Sequence, residues 1–528
     1  MGPRLRELSK NITIYGLGDV AVSIVNFLLW GVYVNYFSVL DYGTINLLLS
    51  LEVVAKIVFR FGLDGAFLRY LYECPDEAAR QRLASTIALF LLAIDGSVIV
   101  VLMLASPAIA SSLLGNPDSV LALRLMFLNT FAIGFTFIPF SMLQMERRAA
   151  IFSSMTFFRS VATIVMRLLF VIRLGLGIPG LYLADLAVTV ATLAILSRWF
   201  LPLLKPVFSR AMMRDTLAFG LPRLPHAAAQ QVMAVGDKFI LKLFVSLDNI
   251  GVYGVGVSFG LIQKLFLGAF QSAWAPFIFA TATESDAIPV FRTVTTYGIA
   301  LLALLTAGVS AVGGDVVRAM SHGRLLAPDD PRWFELQTVV TWTAIGVFLQ
   351  GVYLLTSIGL NITKRTQYYP LATVAAAGTN VGLNFLLIPR FGIVGAAWAN
   401  GAAYFMQAVL GYLFSQRFYP IPYEWDRIVR ACASAVFAYL VARLLPSVRF
   451  VADPRSSLAH LPDVVLRGAV VVVTFGALIA STGFLRPAEI SRLRGIARRK
   501  RAAEPAGVMP EAVEQAGEIV SADVTNGV

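Results

Sequence analysis

The sequence predicts an all-α polytopic membrane protein of about fourteen transmembrane helices, arranged as two six-helix repeats followed by two further helices. Three observations predict it. Of 528 residues, 58% are hydrophobic and 14% charged, where an ordinary soluble domain carries about 25% charged residues, and the mean hydropathy is +0.74. Apolar stretches of the length that crosses a hydrocarbon core, about 20 residues, follow one another with short polar turns between them. Basic residues are divided unevenly between the two sides that alternate crossings define.

The first stretch, 12–37, follows Arg4, Arg6 and Lys10; it is too long for a signal-peptide core and lacks a small-residue cleavage site, so it reads as a retained helix. The second, 43–62, is apolar but interrupted by charges. Stretches 84–108, 118–142, 150–172 and 176–201 give spans three to six. The seventh, 217–243, opens Pro222-Arg223-Leu224-Pro225-His226, where two prolines remove backbone donors and favour a kink or broken turn that could serve as a hinge. The eighth, 251–276, holds Gly254, Gly256 and Gly260. No strand precedes them, so they read as close helix packing rather than a nucleotide loop. Stretches 294–317, 334–358, 368–389 and 392–415 complete twelve spans, and 428–446 and 464–485 add two. The expected divisions are an N-lobe at 1–205, a C-lobe at 206–417, the appended pair at 418–486, and a tail at 487–528 that is basic and then disordered.

Sidedness follows from the loops. Ser38–Tyr42, Ser106–Asp118 and Arg173–Gly175 hold one basic residue, Arg173, whereas the opposite side holds Arg69, Arg80, Arg82, Arg147, Arg148, Arg198, Lys205, Arg210 and Arg214. Both termini are therefore expected in the cytoplasm, with the protein in the inner membrane. The bias weakens in the second half, where Arg318, Arg324, Arg332 and Arg443 fall outside, but Arg492, Arg494 and the run Arg498–Arg501 suit an anionic cytoplasmic leaflet.

Self-comparison supports the repeat. Leu40-Asp41-Tyr42-Gly43 corresponds to Leu247-Asp248-Asn249-Ile250-Gly251, Arg147-Arg148 to Lys364-Arg365, and Gly177-Ile178-Pro179-Gly180 to Gly392-Ile393-Val394-Gly395, at nearly constant offset. Six helices per copy leave both copies in one orientation, as parallel repeats require.

These motifs, with Arg60-Phe61-Gly62-Leu63-Asp64, Phe219-Gly220-Leu221-Pro222, Gly236-Asp237-Lys238 and Leu387-Ile388-Pro389-Arg390-Phe391-Gly392, make the chain resemble the polysaccharide or O-antigen flippases of the multidrug/oligosaccharidyl-lipid/polysaccharide exporter superfamily. The resemblance covers about residues 10–417. It implies a two-lobed, V-shaped bundle with a central cavity and alternating access, driven by an ion gradient or membrane potential. The implied cargo is an undecaprenyl-diphosphate-linked oligosaccharide, with membrane lipids, a polysaccharide polymerase and chain-length machinery as implied partners. No nucleic acid is expected as a partner.

Charges inside spans are costly, about 2.5–3.5 kcal/mol each at the bilayer centre, and so face a protein interior or a wet cavity. Glu52, Lys56, Arg60 and Asp64 recur at i,i+4 and share one helix face. They either line a cavity, or Glu52 and Lys56 merely pair while Arg60 snorkels. Arg124, Arg159 and Lys264 are candidates for phosphate binding, since guanidinium and ammonium groups serve diphosphates well; the alternative is ion pairing with Asp95, Asp185 or Asp19. Arg223, His226 and Gln230 could bond sugar hydroxyls or merely satisfy carbonyls freed by the prolines. Asp19, Glu52, Asp95, Asp185 and Asp237 are the candidates for ion coupling, Asp237 being equally readable as structural. Arg167 lies near a helix end, within reach of headgroups.

The chain has no Gly-x-x-x-x-Gly-Lys-Ser/Thr loop, and its three histidines are scattered, so neither ATP hydrolysis nor a metal or other cofactor is expected. Cys74 and Cys432 imply no disulfide framework. Two other classes compete. A multidrug cation extruder would favour acids and aromatics in its cavity, and a polymerase or ligase would need a long reactive loop; the longest outer connection, about 445–462, holds one histidine. A non-enzymatic flippase is the expectation.

Overall fold

The computed structural model describes residues 33, 35–146, 148–221, 224–282, 284–321, 325–446 and 457–486, and among them there is no strand. Most of the first expected span, with Asp19, lies outside the described residues, as do Arg223 and the tail expected to be disordered.

Helix α1 (Val39–Arg60) starts on Ser38, whose Oγ accepts from the Asp41 N–H (3.1 Å) while the Asp41 carboxylate accepts from the Ser38 N–H (2.9 Å). Two orphan donors are satisfied reciprocally, and the helix begins at Val39 rather than at 43. It stops where Phe61 (φ 47) and Gly62 (φ 70) turn left-handed. Next come α2 (Leu63–Glu73) and α3 (Glu77–Ile109), whose 33 residues make a rod of about 50 Å, longer than the hydrocarbon core. The fourth expected span is two helices, α4 (Val120–Gly134) and α5 (Phe137–Met145). Pro139 has no N–H to return to the Phe135 carbonyl, so the ladder is interrupted there.

Helices α6 (Ala149–Leu168) and α7 (Gly177–Phe200) form a hairpin whose tip uses left-handed Gly175 and Gly177. The seventh expected span is also divided, into α8 (Arg210–Gly220) and α9 (Leu224–Phe244). Pro225 falls in the first turn of α9, where a missing donor is harmless; the expected kink or broken turn is met by two separate helices, with Pro222 outside the described residues. Helices α10 (Leu247–Gly260) and α11 (Lys264–Thr281) are separated by a 3-10 turn at Leu261–Gln263. The chain continues through α12 (Ala287–Ser321), α13 (Arg332–Thr356), α14 (Ile358–Ile362), α15 (Tyr368–Phe418), α16 (Trp425–Leu444) and α17 (Ser457–Ser481). Helix α15 is bent inside at Gly392 (φ 54, ψ −135), just after Pro389, where the sequence separates the eleventh and twelfth spans.

Nine helical stretches among the described residues are long and apolar enough to cross a membrane; the protein is a multi-pass membrane protein. Helices α1, α9 and α16 are not among the nine; each carries charged side chains, those of α9 being Asp237, Lys238 and Lys242 near its end. Helix α1 packs along α10, and α9 along α15. One buried cluster joins α1, α4, α10 and α13 through Phe59, Phe127, Tyr253 and Val340, while Val101, Leu104, Val465 and Val473 face outward, as lipid contact requires.

Glycines set how closely α1 approaches the second half of the chain. A Cβ at Gly43 would collide with the Leu247 carbonyl, and one at Gly251 with the Val39 carbonyl, so the two repeated motifs meet reciprocally, main chain against main chain. One turn further in, the Asn46 amide fills the notch left by Gly254. At the other end of α1, a Cβ on Gly62 would stand 2.7 Å from the Gly220 carbonyl oxygen, and one on Gly220 would stand 3.0 Å from that of Gly62. Gly256 and Gly260 abut Val339 and Thr343, which is the packing role expected of them.

Helix α12 holds the last two helices. Glu424 accepts from Arg427 (2.7 Å) and Thr296 (3.1 Å), and Arg292 approaches it at 3.6 Å; at the far end of α12, Asp315 is ion-paired with Arg467 of α17. Residues to Phe475 form one compact unit. Of the second unit, residues 476–486 are described; they finish α17 and turn at Gly483 (φ 71).

Candidate functional site

The polar stripe is realised as ion pairs but does not lie on one helix: Glu52, Lys56 and Arg60 belong to α1, whereas the left-handed turn at Phe61 and Gly62 puts Asp64 in α2. Glu52 is buried and meets Lys56 Nζ at 2.7 Å, with the lysine side chain 35% exposed. Arg60 reaches Asp64 at 3.5 Å. Arg159 on α6 lines a cavity of about 420 Å³ with Ser141, Gln144, Thr156 and Ser160, and it has no ion pair among the described residues. It lies within electrostatic range of Arg60 and Asp185. Arg159 thus brings a positive charge beside hydroxyls and an amide, with Arg60 within electrostatic range; Lys56 and Arg60 are not among the residues lining that cavity.

The other bases named from sequence are placed elsewhere. Arg124 is exposed and donates to Ser106 Oγ at 2.8 Å and to the Met103 carbonyl at 3.5 Å, across the α3–α4 connection. Lys264 is exposed at the start of α11, directly after the 3-10 turn. Neither lines the cavity beside Arg159. Gln230 is half-buried on α9; His226 belongs to the same helix, but its side chain is not among those described.

Among the acids, Asp185 is held by a two-pronged pair with Arg167, Nε and Nη2 each at 2.7 Å. Asp237 is buried and accepts from the Tyr253 hydroxyl and the Lys238 N–H, and the α15 residues Asn380 and Asn384, bonded to each other at 3.0 Å, are also fully buried. Asp95 is 1% exposed in α3, and neither of its oxygens has a hydrogen-bond partner among the described residues.

Arg167 is the functional-looking residue that sequence reasoning passed over. Read alone, it is a base near a helix end. Read with its hairpin, it has a predictable partner: antiparallel helices joined by a tight turn bring together residues equidistant from the tip, and Arg167 and Asp185 flank the turn between α6 and α7 symmetrically. The same symmetry about left-handed Gly115 pairs Arg124 with Ser106.

Broken helices, buried ion pairs and a polar interior define a membrane protein built like known exporters and flippases. The fold is similar to that of "Lipid II flippase MurJ, inward closed conformation", with TM-score 0.70 and 13% identity over 89% of this chain and 99% of that one. It is also similar to an inward-facing multidrug resistance MATE family transporter of the MOP superfamily, with TM-score 0.58 and 15% identity over 80% and 96%, and to MATE in a straight conformation, with TM-score 0.52 and 16% identity over the same shares. No curated sequence matches the chain. Residues 8–282 match the family model described as polysaccharide biosynthesis protein, and the chain belongs to that family.

Proposed function

We propose that the protein is a flippase that carries an undecaprenyl-diphosphate-linked oligosaccharide from the cytoplasmic to the outer leaflet of the inner membrane, for surface polysaccharide assembly. The observation that carries the reading is Arg159, which lines the hydroxyl-rich cavity on α6 without an ion pair among the described residues and has Arg60 within electrostatic range. A diphosphate needs such groups as counter-ions, and oligosaccharide hydroxyls need neutral donors and acceptors nearby. On this reading residues 1–205 and 206–417 are the two rocking lobes, both termini are cytoplasmic, and a polymerase receives the product outside. Glu52, Asp95, Asp185 and Asp237 are the described candidates for ion coupling.

A verified deletion strain without paralogues is expected to accumulate the sugar-lipid intermediate on the cytoplasmic face; unchanged surface polysaccharide would sink the proposal. The buried acids Asp95 and Asp237 favour a second reading, a cation extruder. Gradient-driven efflux of organic cations by pure protein in liposomes, with no movement of lipid diphosphates, would establish that one instead.

A further inference from the structure

A second cavity, of about 330 Å³, lies beside the Val39 end of α1 and has a different chemistry. Tyr33, Phe37, Tyr42 and Tyr182 supply aromatic faces and phenols, Arg167 the edge of its pair with Asp185, and Ser258 of α10 a hydroxyl from the second half of the chain. Among the described lining residues, the only guanidinium is already matched by a carboxylate through two short hydrogen bonds. The described lining therefore offers neither the net positive charge a phosphate requires nor the bare acid an organic cation requires.

A ligand of alternating character suits it: apolar C–H faces for the rings, and hydroxyls for phenols, serine and the outer edge of the ion pair. Tyr182 is 2% exposed, and its hydroxyl has no partner among the described residues, a polar group that a bound hydroxyl would satisfy. We infer that this chamber is a neutral-sugar subsite that holds one saccharide unit of the cargo, while the diphosphate stays with Lys56, Arg60 and Arg159. The inference rests on the flippase reading for the cargo but on separate residues for the site. From Asn46, which lines the chamber, to Lys56 is ten residues of α1, about 15 Å, so the two subsites lie along one helix. Because Ser258 is brought to the chamber by the α1–α10 contact, parting those helices would dismantle the site and release the sugar.

The test uses the full chain in nanodiscs, titrated separately with glucose, galactose, N-acetylglucosamine and inorganic diphosphate, and followed by the shift in thermal unfolding. At least one sugar is expected to bind saturably, with affinity about 5–10-fold weaker in Tyr182→Phe and in Ser258→Ala, as for loss of one hydrogen bond each. The diphosphate response should be unchanged in both variants and lost in Arg159→Ala. Failure of every sugar to bind, sugar binding indifferent to both conservative variants, or diphosphate binding that falls with them would overturn the inference. Sugar binding that follows the chamber, with no diphosphate binding at all, would instead leave the subsite standing and remove the diphosphate part of the flippase reading.

Discussion

Adding one methyl group at Gly251 should bias the transporter toward opening at the Val39 end of α1. A Cβ there meets the Val39 carbonyl well inside van der Waals contact and the Gly43 nitrogen at 3.1 Å. Those atoms are main chain, with no rotamer that could yield. Overpacking of this kind costs about 1–3 kcal/mol, and it falls only on conformers in which α1 and α10 touch. The ratio of open to closed forms is then expected to rise about 5–150-fold. The assay is thiol labelling in a Cys74→Ala, Cys432→Ala background with Leu49→Cys as reporter, since Leu49 lines the sugar chamber and is 42% exposed. On the proposed orientation, which puts the Val39 end of α1 outside, right-side-out vesicles treated with an impermeant reagent should label faster in Gly251→Ala, and Gly43→Ala should behave alike. At the opposite end, Gly220→Ala should slow labelling from outside by favouring separation from Gly62. Equal labelling rates in Gly251→Ala and the parent, or faster labelling only from the cytoplasmic side, would refute the reasoning.

Three further outcomes can be checked. Arg467→Met strands Asp315 as a buried charge, so it should destabilise by about 3–5 kcal/mol, whereas adding Asp315→Leu should restore most of that in a thermal-unfolding double-mutant cycle; additive losses would show that the pair is not coupled. Asp330 accepts from Arg332 at 2.7 Å, and these hydrogen bonds hold its carboxyl below the ordinary 3.8. The folded value being depressed, the stabilisation is complete above the ordinary value and fades as pH falls through the lowered one, so the difference in unfolding temperature between the parent and Asp330→Asn should persist from neutral pH to mild acid and vanish only in strong acid. Burial, ahead of the nearby charges, pushes the Cys74 thiol up from its ordinary value, so maleimide should label it more slowly than a fully exposed thiol at neutral pH, with the gap narrowing as pH rises.

The described part of each expected span from the second on is largely helical, because apolar length is a strong signal, but the fourth, seventh and eighth are each divided between two helices and the eleventh and twelfth share one bent helix. What escaped the sequence was local. The division between α4 and α5 is decided by a single missing donor at Pro139, and α3 starts before the apolar stretch because its polar opening, Glu77-Ala78-Ala79-Arg80-Gln81-Arg82, continues a helix that hydropathy alone would end. At the site, the Glu52–Lys56 pair was legible from i,i+4 spacing. The Arg167–Asp185 pair was not, because a hydropathy scan treats each span alone while the pairing depends on the hairpin that joins two of them. Arg124 shows the same limit: its depth in the span says nothing about Ser106 across the turn.

The seam between α1 and α10 is drawn in peptide bonds, with Gly43 and Gly251 offering no side chain to either face. A lock of that kind carries no chemical preference for what passes beside it. On the flippase reading, selectivity can then be rewritten at Tyr182 or Ser258 without retooling the latch, which makes the scaffold a natural starting point for redirecting glycan choice by substitution in the chamber alone.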